Sequence, residues 1–301
     1  ESVPNSQMAL AVLPAAATLL EARDPALAAR VRALLPGLAA AVEGAWAGSF
    51  YGRAYFGDGE LHGADHIDLE PSVWPLIGPL AESAAPRDEA RLAALFESVA
   101  SELDDPSPVG ATNTPGADCW PAVAQLVTWG YTRFSDDRAF RHLVKMSLAN
   151  RARVHPEVWF QIWSGPDGAS SKSGHTWASP VTPMTDYPTM NNNVHAMALL
   201  AALRVAGIEA RPDGLAVFPH VPERRLALRS ALVDLDLEPT RLRLTWRPAP
   251  GVPRTLRLTA PRGATLAAVR VDGAPVEAGA ATVTLPVTAA PGGVVVEADL
   301  R

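Results

Sequence analysis

The sequence predicts an α+β chain of two units, an antiparallel array of helices followed by an antiparallel β-sandwich. Three observations predict it. Apolar residues recur at three- and four-residue steps from Ser6 to about Gly207, they alternate from Gly214 onward, and Asp272-Gly273 and Gly292-Gly293 supply turns in the second stretch. A length of 301 residues suits two compact units, and the boundary is placed at residue 210, leaving 211–301 to the sandwich.

In the first unit, leucines and alanines from Gln7 to Ala22 form one helical pattern, and Asp24-Pro25 opens the next, which runs to about Trp46. A third helix is expected over 70–81, with Pro71 in its first turn, and a fourth from Pro86 to about Leu103. Asp118 to Phe134, Asp136 to Arg151 and Asn191 to Ala206 complete seven helices, the last closed by Gly207. The loops 48–69, 104–117 and 155–190 are long, and loops of that length in a compact helical unit usually carry function or are disordered. In the second unit, strands are expected over 215–218, 226–237, 241–246, 255–259, 266–271, 281–286 and 293–299.

Hydrophobic residues make up 48% and charged residues 19%, ordinary values for a globular chain, and the net charge is −6. With no basic stripe, no nucleic-acid partner is expected. The longest apolar runs are broken by Arg, Pro or Glu, so no membrane span is expected either. Cys119 is the single cysteine, which rules out an intrachain disulfide and a cysteine-based zinc site. It fits a cytoplasmic setting without excluding a periplasmic one, and it reads as an inert buried thiol. The chain opens on Glu1 rather than Met and leads straight into a helical pattern, so a processed or shortened chain is expected.

Three stretches hold residues that can do chemistry. The first, Arg53 to Glu70, packs acids, histidines and aromatics into one inter-helix loop. Its Asp58-Gly59 turn and an N-cap at Asp68 are explained structurally, whereas Asp65 and His66 are less easily dismissed. Two histidines and an acid raise the idea of a metal, but the spacing matches no strong metal signature, and neither metal nor cofactor is expected. The second stretch is Asp118-Cys-Trp120-Pro121 at a helix start, where Asp118 is either a cap or a functional acid and Trp120 either core or a platform for a sugar ring. Trp46, Trp74 and Trp129 read as core.

The third stretch is the loop from Glu157 to His195. It carries Trp159, Trp163, Trp177, Asp186, Tyr187, Asn192 and His195. Aromatic faces beside carboxylates and amides are what sugar recognition needs, because the ring face stacks while the hydroxyls require both donors and acceptors. The bland alternative is a rigid loop plugging the core, with Asn191 to Asn193 as a cap. No nucleophile elbow, phosphate loop or dinucleotide fingerprint is present.

The order of these motifs resembles the cellobiose phosphorylase family, glycoside hydrolase family 94. Ala45-Trp46, then Tyr51-Gly-Arg-Ala-Tyr55 and Gly57-Asp-Gly59, is similar to that family's aromatic, Arg-Ala-Tyr, Asp-Gly passage, and Ile67 to Trp74 resembles the helix start that follows it. Pro115 to Trp120, Ile162-Trp-Ser-Gly-Pro166, and Gly214-Leu215 with Pro219-His-Val-Pro222 fall in the same order, so the resemblance covers nearly the whole chain.

The resemblance implies an (α/α)6 toroid followed by a β-sandwich, with the helical unit here as the C-terminal part of the toroid. It also implies an inverting enzyme acting on a glycosidic bond. The family's general acid lies in a Trp-Asn-Asp motif that this sequence lacks. By family order it falls just upstream of Glu1, in a missing N-terminal half carried on the same or a separate chain. The family's phosphate-binding His and Thr-Gly fall near Ala122 and at Thr185-Asp186, which favours hydrolysis over phosphorolysis. Asp186, standing where an anion would bind, is the leading candidate for the base that activates water, with Glu157 and Asp118 as alternatives. The implied partner is a gluco-configured oligosaccharide. The rivals are a phosphorylase with an altered phosphate site and a non-catalytic sugar-binding fragment.

Overall fold

The apolar spacing after Ser2 winds into α1 (Val3–Leu20), and Asp24 starts α2 (Pro25–Glu43) by accepting the N–H of Leu27 at 2.9 Å. The structure is a computed structural model that describes residues 1–57, 59–79, 88–154, 192–277 and 281–301, with 192–195 described by their backbone alone. The chain is α+β and divides into two compact units, residues 1–202 and 203–301.

After α2 comes a short antiparallel hairpin, β1 (Ala54–Tyr55) with β2 (Leu61–His62), inside the stretch 48–69 that is expected to be loop. The helix expected over 70–81 is α3 (Glu70–Ile77), ending before Gly78. The next is α4 (Glu89–Ser98), capped by the Asp88 side chain and continued by a π-helical turn over Val99–Asp104. Then follow α5 (Pro121–Thr132) and α6 (Asp136–Lys145). The single helix expected over 136–151 is broken, because Ser147 Oγ accepts the N–H of Asn150 at 3.2 Å and starts α7 (Leu148–Val154) as a new element. The last is α8 (Asn192–Val205).

Packing follows a simple scheme. α1 lies against α2 and α3, α3 against α4 and α5, and α5 against α6. α1, α3 and α5 therefore stand side by side, each with its successor beside it. α3 and α5 supply much of the core, with Val73, Leu76, Ile77, Ala124, Val127 and Tyr131 all fully buried. Of the tryptophans read as core in this unit, only Trp129 is buried, while Trp46 and Trp74 are half-buried. α1 and α2 are long and apolar enough, by length and composition alone, to cross a membrane, contrary to the expectation that no stretch reaches that length. Both are poorly covered, with Leu19 at 63% and Leu34 at 65% exposure.

In the second unit, six strands form one sheet in the order β10-β9-β12-β7-β6-β5, every pair antiparallel. These are β5 (Leu226–Arg229), β6 (Val233–Glu238), β7 (Arg241–Trp246), β9 (Leu266–Val271), β10 (Ala274–Val276) and β12 (Val294–Leu300). The strand expected over 226–237 is split where Ser230 Oγ accepts the N–H groups of Leu232 and Val233 at 3.3 and 2.9 Å. Register places Leu235, Leu244 and Val296 in one cross-strand row and Leu237, Leu242 and Ala298 in the next, all essentially dry.

The other sheet runs β11-β8-β4-β3, comprising β3 (Ile208–Arg211), β4 (Gly214–Val217), β8 (Pro253–Thr259) and β11 (Thr282–Thr288). Here the all-antiparallel expectation fails, because β4 pairs with β8 in parallel. Leu215, Leu256 and Leu285 form its buried row. Gly207 holds φ +83°, and a Cβ there would lie 2.1 Å from the carbonyl oxygen of Phe218, so only glycine lets the chain turn from helix to sheet at this point.

Leu244→Ala is expected to destabilise the chain by about 2–5 kcal/mol, since it empties the middle of a dry cross-strand row. Arg243→Ala, on the opposite face of the same strand, should cost under about 1 kcal/mol. Urea denaturation of the two variants checks the contrast.

Candidate functional site

The site is built on the loop between α2 and α3. Arg53 N–H donates to His62 O at 2.7 Å and Arg53 O accepts from Val3 N–H at 3.0 Å, so both backbone polar groups of Arg53 are held, while the preceding Gly52 N–H donates to Ala45 O at 2.9 Å. Its guanidinium is half-exposed and spans two carboxylates, with Nη2 2.6 Å from Glu70 Oε2 and Nη1 3.5 Å from Asp68 Oδ1. Gly63, at φ +72°, passes beneath this pair. A Cβ there would come within 3.1 Å of both Arg53 Cβ and Asp68 Oδ2.

Asp65 and His66 border the cluster. His66 Nδ1 lies 2.8 Å from Asp65 Oδ1, and its Nε2 lies 3.8 Å from Asp68 Oδ2. Asp68 is the buried member, and burial holds its carboxyl above the usual range despite the pull of Arg53 and His66. Asp65, fully exposed, is shifted the other way by the hydrogen bond from His66. The N-cap assigned to Asp68 is overturned: the cap position of α3 is Leu69, with no side-chain cap bond, and Asp68 turns its carboxylate toward Arg53. Asp68 and Glu70, the partners of Arg53, were given no functional part in the sequence reading. The signal that marks them is an Asp-x-Glu pair near an arginine that needs a counter-charge.

A second loop meets this one through consecutive backbone bonds. Leu69 N–H donates to Asn113 O at 2.8 Å, and Asn113 N–H donates to Asp118 O at 2.9 Å. Asp118 is not the cap of α5. That position belongs to Trp120, which is half-buried and whose Nε1 is enclosed without a hydrogen-bond partner among the described residues. Arg53, Asp65 and His66 thus share one cluster, and the segment bearing Asp118 and Trp120 is tied to its edge. Glu157, Trp159, Trp163, Trp177, Asp186 and Tyr187 lie outside the described residues, and Asn192 and His195 lie on the first turn of α8, where only the backbone is described.

Behind the second loop lies a largely buried polar group made by Asp104, Thr128, His142 and Lys145. Lys145 Nζ is 2.7 Å from Asp104 Oδ1, and Thr128 Oγ1 is 2.7 Å from His142 Nδ1. The N–H of Ala111 donates to His142 Nε2 at 3.2 Å, so that nitrogen carries a lone pair and the ring is neutral with its proton on Nδ1. Burial lowers the pKa of His142 in agreement with this. Cys119, also buried, has its thiol pushed up to about 12 by desolvation, which makes it inert.

Chemically, the cluster offers donors from Arg53 and acceptors from Asp65 and Glu70 at its surface, with Asp68 buried beside them, an arrangement that can read hydroxyl groups of either polarity. Among the described residues, no group of three or more His, Cys, Asp or Glu side chains is placed to hold a metal ion.

No protein-family model matches the chain, and no curated protein matches it. Among solved structures it is similar to a GH127 β-L-arabinofuranosidase from Geobacillus stearothermophilus, with 13% identity, a TM-score of 0.28, and coverage of 77% of this chain and 41% of that one. It is also similar to a protein described as a glycoside hydrolase, at 12% identity and a TM-score of 0.32, over 77% of this chain and 46% of that one. The chain spans less than half the length of either. At those scores neither a family nor an activity is assigned, and membership of family 94 does not follow.

The neutral ring gives a signed pH dependence. With its folded pKa below the ordinary value of 6.5, His142 contributes stability above that pH and loses it as pH falls toward the lowered value, because the unfolded chain takes up the proton first. The melting temperature should therefore drop between pH 7.5 and 5. His142→Gln should lower it at pH 7.5 and flatten the slope, and an unchanged slope in the variant would assign the pH dependence elsewhere.

Proposed function

We propose that the chain is the C-terminal portion of an inverting carbohydrate-active hydrolase that cleaves a glycosidic bond in a gluco-configured oligosaccharide. Its helical unit supplies part of an (α/α)6 toroid and one wall of the sugar site. One observation carries the reading. α3 and α5 stand side by side in the α1–α3–α5 layer, and the loops that open them, bearing Arg53–Glu70 and Asp118–Trp120, are bonded to each other through Asn113. Helix-start loops gathered on neighbouring hairpins are how a helical toroid lines its mouth, and the thinly covered α1 and α2 leave apolar surface on which further helices of a toroid would pack.

In this reading Arg53, Asp65 and His66 bind sugar hydroxyls, joined by Asp68 and Glu70, and Trp120 offers its ring face. Asp186 activates the attacking water, with Glu157 and Asp118 as alternatives. Trp159, Trp163, Trp177, Tyr187, Asn192 and His195 complete the sugar contacts. The general acid belongs to a preceding half of the same enzyme, which is the partner of this chain, in a cytoplasmic setting. Kinship with family 94 rests on the order of the short motifs alone. An acid at the position of the phosphate-binding pair favours hydrolysis, since a carboxylate there repels the anion that phosphorolysis needs.

The 301-residue chain alone should bind cello-oligosaccharides, measured by calorimetry or ligand-observed NMR, and show no turnover. Arg53→Ala or Trp120→Ala should weaken that binding roughly ten-fold, about 1.4 kcal/mol. Sugar release by the complete enzyme should not depend on phosphate, and a strict requirement would remove Asp186 as base. Efficient cleavage by the chain alone would show that the acid lies within it.

A further inference from the structure

A cavity of about 350 Å³ opens beside α5, the α6–α7 turn and α8, in the range of pockets that take small molecules. Apart from Ser147, whose hydroxyl accepts the N–H of Asn150, its polar lining comes from Gln125 and Arg151. The rest is apolar, with Leu143, Met146, Leu148 and Ala198 among the walls.

Both polar side chains are almost completely buried, Gln125 at 3% exposure and Arg151 at 2%. Gln125 Oε1 and the Nε and Nη1 of Arg151 have no hydrogen-bond partner among the described residues. A guanidinium does not give up its proton in a protein, so Arg151 stays cationic even though burial lowers its pKa. Among the described residues Cys119 is the titratable group that interacts with it electrostatically, and the buried Cys119 thiol is neutral at any physiological pH. Among the described residues no carboxylate pairs with this buried cation, a strongly destabilising arrangement, and it lines a space large enough to admit a counter-charge.

We propose that this cavity binds a small organic monoanion, a carboxylate whose head pairs with Arg151, whose apolar body lies against Leu143, Met146, Leu148 and Ala198, and to which Gln125 offers a second polar anchor. The guanidinium fork matches a carboxylate in two parallel hydrogen bonds, and the apolar walls exclude a bare hydrated ion. The inference rests on no part of the carbohydrate reading.

The test uses the 301-residue chain with three probes: hexanoate, 1-hexanol as its uncharged counterpart, and inorganic phosphate as charge without an apolar body. Titration calorimetry and melting curves should show saturable binding of hexanoate, with the other two at least ten-fold weaker. Ala198→Leu, which fills the cavity and leaves Arg151 in place, should weaken hexanoate at least ten-fold in a chain that still melts cooperatively. Arg151→Met should abolish binding and raise the melting temperature of the ligand-free chain, because it keeps the volume and removes the unpaired charge. Three results would each overturn the proposal: phosphate binding as well as hexanoate, full hexanoate binding by Ala198→Leu, or no hexanoate binding by the parent chain with a lower melting temperature in Arg151→Met. The last would mean that a carboxylate of the chain itself already pairs with Arg151.

Discussion

The segment 109–119 has no regular ladder of its own, so its backbone polar groups must find partners one by one, several of them outside the segment. The N–H of Ala111 finds one in the buried ring of His142, and Thr112 N–H finds another in Leu103 O. With those two fixed, the next residue, Asn113, presents its carbonyl to Leu69 and its N–H to Asp118. The start of α3 is thereby positioned, and with it Asp68 and Glu70, the two carboxylates that hold Arg53. The open polar face thus depends on a histidine well behind it that is neutral and completely enclosed. If that ring took up a proton, the lone pair holding Ala111 would be lost and the loop would slacken at its root.

Long periodic segments were readable from sequence because their apolar spacing and their packing demand the same thing. α1, α2, α5 and α8 lie within a few residues of where leucine and alanine spacing places them. What escaped were features decided by one side chain competing with the backbone. The hydroxyl of Ser147 breaks a helix that periodicity alone would run through, and the hydroxyl of Ser230 folds one long strand into two. The parallel pairing of β4 with β8 was illegible for another reason. Alternation reveals which face of a strand is buried but nothing about the direction of its neighbour.

The candidate site shows the same division. Arg53, Asp65 and His66 stood out as a dense run of polar groups with no structural duty, and the structure does gather them. Asp68 was misjudged because an acid ahead of a helix is normally a cap. Here the helix starts at a different residue, and the guanidinium of Arg53, already paired with Glu70, draws the Asp68 carboxylate away from the helix start. Arg151 gave no sign at all. On a short basic helix it reads as a solvated charge, and only its enclosure makes it conspicuous.

In the six-stranded sheet, β12 lies between β9 and β7, paired to both along most of its length. Of the strands that share that sheet, it is the last to leave the ribosome, yet it is an interior one. Until residues 294–300 have emerged, β7 and β9 each present a bare edge of unsatisfied amides, a lure for aggregation during synthesis. The nascent chain therefore cannot close this layer strand by strand. The pairings that join β7 to β9 through β12 can form only once residues 294–300 have arrived, so closure of this layer waits on one short segment.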